Sequence, residues 1–186
     1  SQLRFQPMAF SQATGVKYHP VCGIICYIGR RAAAPILLEG LKRLEYRGYD
    51  SAGLAVVEGS GVVCQKSVGK IRALESKLAG IDWQGTAGLA HTRWATHGSP
   101  TLENAHPHCD CKNNIFVVHN GIIENHQELR TTLKALGYNF ESETDSEVIA
   151  HLIHAKLNDK SSLAEAVKEA VKDLEGTYAL GAIHIR

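Results

Sequence analysis

The chemistry this chain could do starts from a thiol. Cys22 stands in the short apolar run Val21-Cys22-Gly23-Ile24-Ile25-Cys26-Tyr27-Ile28-Gly29, and a cysteine becomes a nucleophile only once its proton is removed. Were Cys22 the first residue, its own α-amine would lie within reach of Sγ and could take that proton, so one residue would supply nucleophile and base together. As written, Val21 acylates that amine. Taken alone, a cysteine in an apolar strand is more often an inert part of a core.

Other groups suited to chemistry fall at the ends of expected elements: Arg93 and the triplet His119-Asn120-Gly121 at strand ends, and Asp145 at a helix start. Scaffolds place sites in such positions. Singly, each also has a structural explanation, as a surface ion pair, a turn and a first-turn charge that suits the helix dipole. His106-Pro107-His108-Cys109-Asp110-Cys111 offers a cluster of possible zinc ligands. Its spacing is tighter than in finger motifs and no second Cys or His pair completes it, so no metal is expected and Cys109 and Cys111 should face solvent from a loop. His151 and His154, at helical spacing, and His126, opening another helix, read as surface or half-buried residues.

The elements that position these groups follow from periodicity. Ile36, Leu37, Leu41 and Leu44 recur at helical spacing within 32–44, with Pro35 tolerated in the first turn. Leu54 to Val57 and Val62 to Lys66 flank Glu58-Gly59-Ser60-Gly61 as a hairpin. Ile71, Leu74 and Leu78 mark a short helix closed by Gly80, and Thr86 to Thr92 is a strand ending in Arg93-Trp94. A loop then runs from Ala95 to about Asn114. Ile115-Phe116-Val117-Val118 is apolar on both faces, hence buried on both, and delivers His119-Asn120-Gly121 at its end. A helix from about Asn125 to Leu136 follows, then two capping boxes, Thr144-Asp145-Ser146-Glu147 and Ser162-Leu163-Ala164-Glu165, each ahead of a helix, the two helices adjacent. Tyr178 to Ile185 alternates as a last strand. Periodicity by itself gives an α+β class and no more.

Composition narrows the function classes. Over 186 residues, 44% hydrophobic and 21% charged residues suit one ordinary soluble domain. A formal net charge of +1, with both signs interspersed, gives no electrostatic footprint for nucleic acid or an anionic membrane, and neither partner is expected. Five cysteines, an odd number without a secretory signal, point to reduced thiols in a cytoplasm. No apolar run reaches transmembrane length. Ser1 to Val21, mostly polar and holding the only methionine, Met8, reads as a leader, a propeptide or a tag remnant ahead of a domain at 22–186.

Taken together, several blocks resemble a known family. These are Cys22-Gly23-Ile24, the run Leu44 to Gly53, His91-Thr92-Arg93-Trp94-Ala95-Thr96-His97-Gly98, Asn104-Ala105-His106-Pro107-His108, His119 to Asn125 and Glu143-Thr144-Asp145. In order and spacing they are similar to the class II glutaminase domain, the amidotransferases with an N-terminal cysteine nucleophile. Arg47-Gly48-Tyr49-Asp50-Ser51-Ala52-Gly53 and the block Arg93 to Pro100 resemble the glutamine:fructose-6-phosphate aminotransferase branch, rather than the purine amidophosphoribosyltransferase or asparagine synthetase branches. The resemblance covers essentially all of Cys22 to Arg186.

It implies a four-layer αββα sandwich of the N-terminal nucleophile hydrolase type and hydrolysis of L-glutamine through a cysteine thioester, with no cofactor. Cys22 would be the nucleophile, and Asn120 with the backbone N–H of Gly121 the oxyanion hole. Arg93 would pair with the α-carboxylate of glutamine and Asp145 with its α-ammonium. Trp94 to Ser99 would close over the substrate, with Trp94, Thr96 and His97 as contacts and Gly98 permitting the bend; His106 is counted with the glutamine contacts.

Two departures shape the expectation. An N-terminal cysteine of this family needs a free amine, so the chain with Val21 still attached is expected to be inactive. The family domain also continues past Arg186 into isomerase domains that bind fructose 6-phosphate and receive the ammonia, so a domain shortened at its C-terminus is expected. The full-length family enzyme would be a homo-oligomer and this shorter chain a monomer. A second reading is a catalytically silent glutamine-binding or regulatory fragment; a third is a zinc-binding module.

Overall fold

Strand β1 (Gly23–Ile28) leads into helix α1 (Ala33–Leu44) and a 3-10 turn (Glu45–Arg47). The hairpin of β2 (Ser51–Glu58) and β3 (Gly61–Val68), helix α2 (Ile71–Leu78) and strand β4 (Ala87–Arg93) complete the first half. The second half comprises β5 (His108–Cys109), β6 (Ile115–Ile123), α3 (His126–Ala135), α4 (Ser146–Lys156), α5 (Leu163–Lys172) and β7 (Gly176–His184). This computed structural model describes residues 22–47, 50–94, 99–157 and 162–185. The expected leader at 1–21 lies outside the described residues.

One antiparallel sheet runs β1-β4-β2-β3 and the other β5-β6-β7. Period-two alternation stacks them. On β2, Leu54 and Val56 turn to α1 and α2, where they meet Leu37, Leu41, Ile71 and Leu74. Ala55 between them, with Leu89 of β4, turns the other way and meets Phe116 and Val118 of β6. On β6 in turn, Ile115 and Val117 face Val148, Ile149 and Ile153 of α4 and Ala166 and Ala170 of α5. The result is helices, sheet, sheet, helices: an α+β sandwich of four layers. Each fully buried Leu or Ile adds about 1.5–3 kcal/mol by transfer from water, so three apolar interfaces hold the layers.

Four expectations need correction. The strand after Asn114 does not stop at Val118: β6 continues through His119, Asn120 and Gly121 to Ile123, because β7 pairs with it along its whole length, Asn120 opposite Ala179 and Gly121 opposite Tyr178. The expected loop from 95 to 114 contains the short strand β5, which pairs with Val117 and Phe116. Asp145 is the N-cap of α4 but makes no side-chain cap bond, and Glu147 does not close a capping box. The Glu147 carboxylate instead accepts from the backbone N–H groups of Glu141 and Ser142 at 2.8 and 2.7 Å, tying down the loop ahead of the helix. The box at Ser162 and Glu165 does form, and α4 and α5 are adjacent. Finally, His151 is not on the surface: α4 is buried from Ser146 through Ile153, and its ring packs among Tyr138 and Phe140.

Candidate active site

The register of β1 against β4 sets Gly23 opposite Thr92, so Cys22 is carried to the end of β4 beside Arg93 and Trp94. Gly23 N–H donates to Thr92 Oγ1 at 3.1 Å and fixes that junction. The Cys22 thiol meets backbone: Trp94 N–H donates to Sγ at 3.1 Å, and Sγ lies 3.5 Å from Trp94 O. From the second sheet, Asn120 Nδ2 donates to the carbonyl of Cys22 at 2.9 Å. Gly121 follows at φ +122, where a side chain would be strained and its Cβ would collide with Thr177 O. Only glycine fits this backbone against β7.

Cys22, Arg93, Trp94, His106, Asn120, Gly121 and Asp145, all singled out in the sequence, line one cleft. Thr96 and His97 lie outside the described residues. Arg93 is buried, its Nη1 3.9 Å from Asp50 Oδ1 and donating to Ser99 O at 3.5 Å. Asp145 is buried at the head of α4, where its Oδ2 accepts from Ile123 N–H at 2.9 Å. Trp94 is 42% exposed at the mouth.

Behind the cleft lies a set of buried histidines that motif reading left in the background. His91 Nε2 lies 3.0 Å from His119 O and 2.7 Å from Asn120 Oδ1; both are acceptors, so Nε2 carries the proton. The His106 ring stacks on His91 at 4.0 Å and meets His108 edge-on at 4.6 Å. His108 Nε2 reaches Thr144 Oγ1 at 3.1 Å, and His119 Nδ1 reaches Ser146 Oγ at 2.8 Å. One signal for His91 was in the sequence: it stands two residues before Arg93 on a strand, hence on the same face. Asp50, Thr144 and Ser146 gave none beyond their place in a motif.

The electrostatics select the form of each group. Burial pushes the Cys22 thiol up; the Trp94 N–H and the Arg93 charge pull it down by less, and Asp50 opposes them. Cys22 is therefore held as a thiol, which would need a base to act as a nucleophile. Burial also lowers His91 to about 4 and holds His106 and His108 well below the ordinary histidine value, while His119 is lowered too. The rings are neutral at pH 7. The hydrogen bonds of Sγ run to the backbone of Trp94 rather than to a ring nitrogen.

The block from His106 to Cys111 does not gather into a zinc finger. His106 and His108 belong to the ring stack, and Cys109 Sγ donates to Asn113 Oδ1 at 3.0 Å. Cys109 is half-buried against the inter-sheet cluster rather than facing solvent, because β5 pairs it with Phe116; Cys111 is exposed. Among the described residues no helix is long and apolar enough to cross a membrane.

Residues 91–186 match the family model of the glutamine amidotransferase domain. The chain is 56% identical over 165 residues to the glutamine--fructose-6-phosphate aminotransferase [isomerizing] of Pseudomonas aeruginosa, covering 88% of this chain and 27% of that protein. It is 55% identical over 165 residues to the enzyme of the same name from Aquifex aeolicus, with coverages of 89% and 28%. The chain thus spans about a quarter of the length of these relatives. Among solved structures, a glutamine phosphoribosylpyrophosphate amidotransferase from B. subtilis, complexed with ADP and GMP, superposes with a TM-score of 0.71 at 29% identity, over 88% of this chain and 35% of that one.

Proposed function

Because this chain belongs to the glutamine amidotransferase domain family, we propose that residues 22–186 are a glutaminase domain and hydrolyse L-glutamine to glutamate and ammonia on Cys22. The carrying observation is that Asn120 Nδ2 reaches Cys22 at 2.9 Å in the same cleft that holds Arg93 and Asp145.

The raised thiol calls for a base, and with Cys22 as the first residue its α-amine is that base. The amine takes the Sγ proton as sulfur bonds to the side-chain carbonyl carbon of glutamine. Negative charge moves to the amide oxygen, which Asn120 Nδ2–H and Gly121 N–H stabilise. The tetrahedral intermediate collapses, the C–N bond breaks, and the ammonium gives its proton to the leaving nitrogen, which departs as ammonia. Water then adds to the γ-glutamyl thioester with the amine again as base; the C–S bond breaks, and glutamate leaves as the thiol recovers its proton. Arg93 takes the α-carboxylate of glutamine and Asp145 its α-ammonium, which distinguishes an amino acid from a simple amide. Trp94, Thr96, His97 and His106 complete the substrate contacts.

In the longer protein the ammonia would serve conversion of fructose 6-phosphate to glucosamine 6-phosphate on isomerase domains, and the names and lengths of the relatives support this reading; the longer protein would assemble as a homo-oligomer. Five free thiols fit a reducing cytoplasm as its place. The test is glutamate release by a chain whose first residue is Cys22. Loss of release in Cys22→Ala is expected, and undiminished turnover in that variant would end the thioester route.

A further inference from the structure

Away from the cleft, the turn between β5 and β6 meets the far end of α4. Asp110 is buried in that turn, and its Oδ1 accepts from the backbone N–H groups of Asn114 and Ile115 at 2.7 and 2.8 Å. That oxygen is spent on the turn. Its partner Oδ2 makes no hydrogen bond although it is buried, and it faces His154 Nδ1 at 3.1 Å. Cys111 Sγ lies 3.4 Å from the same Nδ1. The three ligand atoms, Oδ2, Sγ and Nδ1, all lie within 4.8 Å of one another.

A catalytic Cys-His-Asp triad would use the two ring nitrogens separately, one toward the thiol and the other toward the carboxylate. Here thiol and carboxylate both address Nδ1, so no proton can be passed through the ring. Three donors aimed at one point is instead the geometry of ligation. We propose that Asp110, Cys111 and His154 form a binding site for a borderline divalent transition metal of the zinc type, with water in the fourth position.

The donor set decides the class of metal. Thiolate and imidazole favour zinc, cobalt or copper over magnesium and calcium, which take oxygen ligands. Thiolate and carboxylate together neutralise the dication, so the bound ion would add no net positive charge beside Lys112. The Asp110 bonds to Asn114 and Ile115 orient the carboxylate from behind, and the Tyr138 ring meets His154 edge-on at 5.6 Å, holding its plane. Cys111 is exposed and His154 half-buried, which leaves an entry path and room for water. The bound ion would clip the β5–β6 turn to α4, the helix that begins beside Asp145 in the candidate active site.

Cobalt(II) titration of the full chain tests this, because a cobalt–thiolate bond gives a near-ultraviolet charge-transfer absorption and a tetrahedral site intense visible bands. One cobalt per chain is expected, displaced by zinc. The absorption should be lost in Cys111→Ser, and affinity should fall roughly ten-fold or more in His154→Gln and Asp110→Asn. Asp110→Asn keeps an acceptor for the Asn114 and Ile115 N–H groups, so the turn survives while the ligand is lost. Cys109→Ser and Cys22→Ala should bind like the parent chain. Absence of the absorption, its persistence in Cys111→Ser, its loss in Cys22→Ala, or parental affinity in Asp110→Asn would each overturn the site.

Discussion

His91 gives its Nε2–H to the side-chain oxygen of Asn120 across 2.7 Å, and Asn120 gives its own N–H to Cys22 across 2.9 Å. The ring thereby fixes which end of the amide points at the backbone carbonyl of Cys22. Inverting the amide would set two donors against each other and leave Cys22 O facing an acceptor.

His91→Ala should therefore lower kcat with little change in KM, by roughly ten-fold, while Asn120→Ala, which removes the proposed oxyanion donor itself, should cost about 10²–10³-fold. Since both act through one amide, the double variant should be no slower than Asn120→Ala alone. Steady-state glutaminase kinetics on the four forms, with circular dichroism to verify folding, would show it. Multiplying defects would mean that His91 acts elsewhere.

Arg93 is a buried guanidinium in the cleft, with Asp50 at 3.9 Å. Arg93→Lys keeps the charge but loses the fork that fits a carboxylate, so KM for glutamine should rise while kcat changes less. A substrate lacking the α-carboxylate should lose its discrimination between the two forms. Equal KM values for Arg93→Lys and the parent chain would place the carboxylate elsewhere.

Stability should fall with acid in two stages. His91 is lowered to about 4 from 6.5 in the folded chain, and His106 and His108 lie well below their ordinary value, all chiefly by burial. Between about 6.5 and about 4 the unfolded chain binds protons that the folded chain refuses, so stability present above pH 6.5 is lost as the pH falls; His91 alone accounts for about 3 kcal/mol. Glu147 adds a second loss as the pH falls from 4.5 towards 2: burial raises its pKa, but His151 and the N–H groups of Glu141 and Ser142 outweigh burial and bring it to about 2. Urea unfolding midpoints at pH 7 and pH 5 test the first stage, and identical midpoints would contradict it.

The α-amine of Cys22 makes the sharpest distinction. A chain beginning at Cys22 should release glutamate, and one in which Val21 still acylates that amine should not, since an amide nitrogen accepts no proton from the thiol. Intact mass would verify each N-terminus. Equal activity from the acylated chain would show that another group is the base.

Much of this was legible in the chain because it is local. The hairpin of Leu54 to Val57 with Val62 to Lys66, the helical recurrence of Leu37 and Leu41, and the Ser162–Glu165 capping box each depend on residues a few positions apart, and each forms as read. The motifs likewise marked Cys22, Arg93, Asn120, Gly121 and Asp145, which the fold carries to one cleft. What sequence could not decide are partnerships across the chain. β6 runs on through His119-Asn120-Gly121 because β7 supplies a ladder, Glu147 abandons its cap for the backbone of Glu141 and Ser142, and His151 is enclosed by rings from another segment. His154 comes to Cys111 from 43 residues away. Periodicity tells which face a side chain occupies, whereas its hydrogen-bond partner and its solvent are set only when distant elements pack against that face.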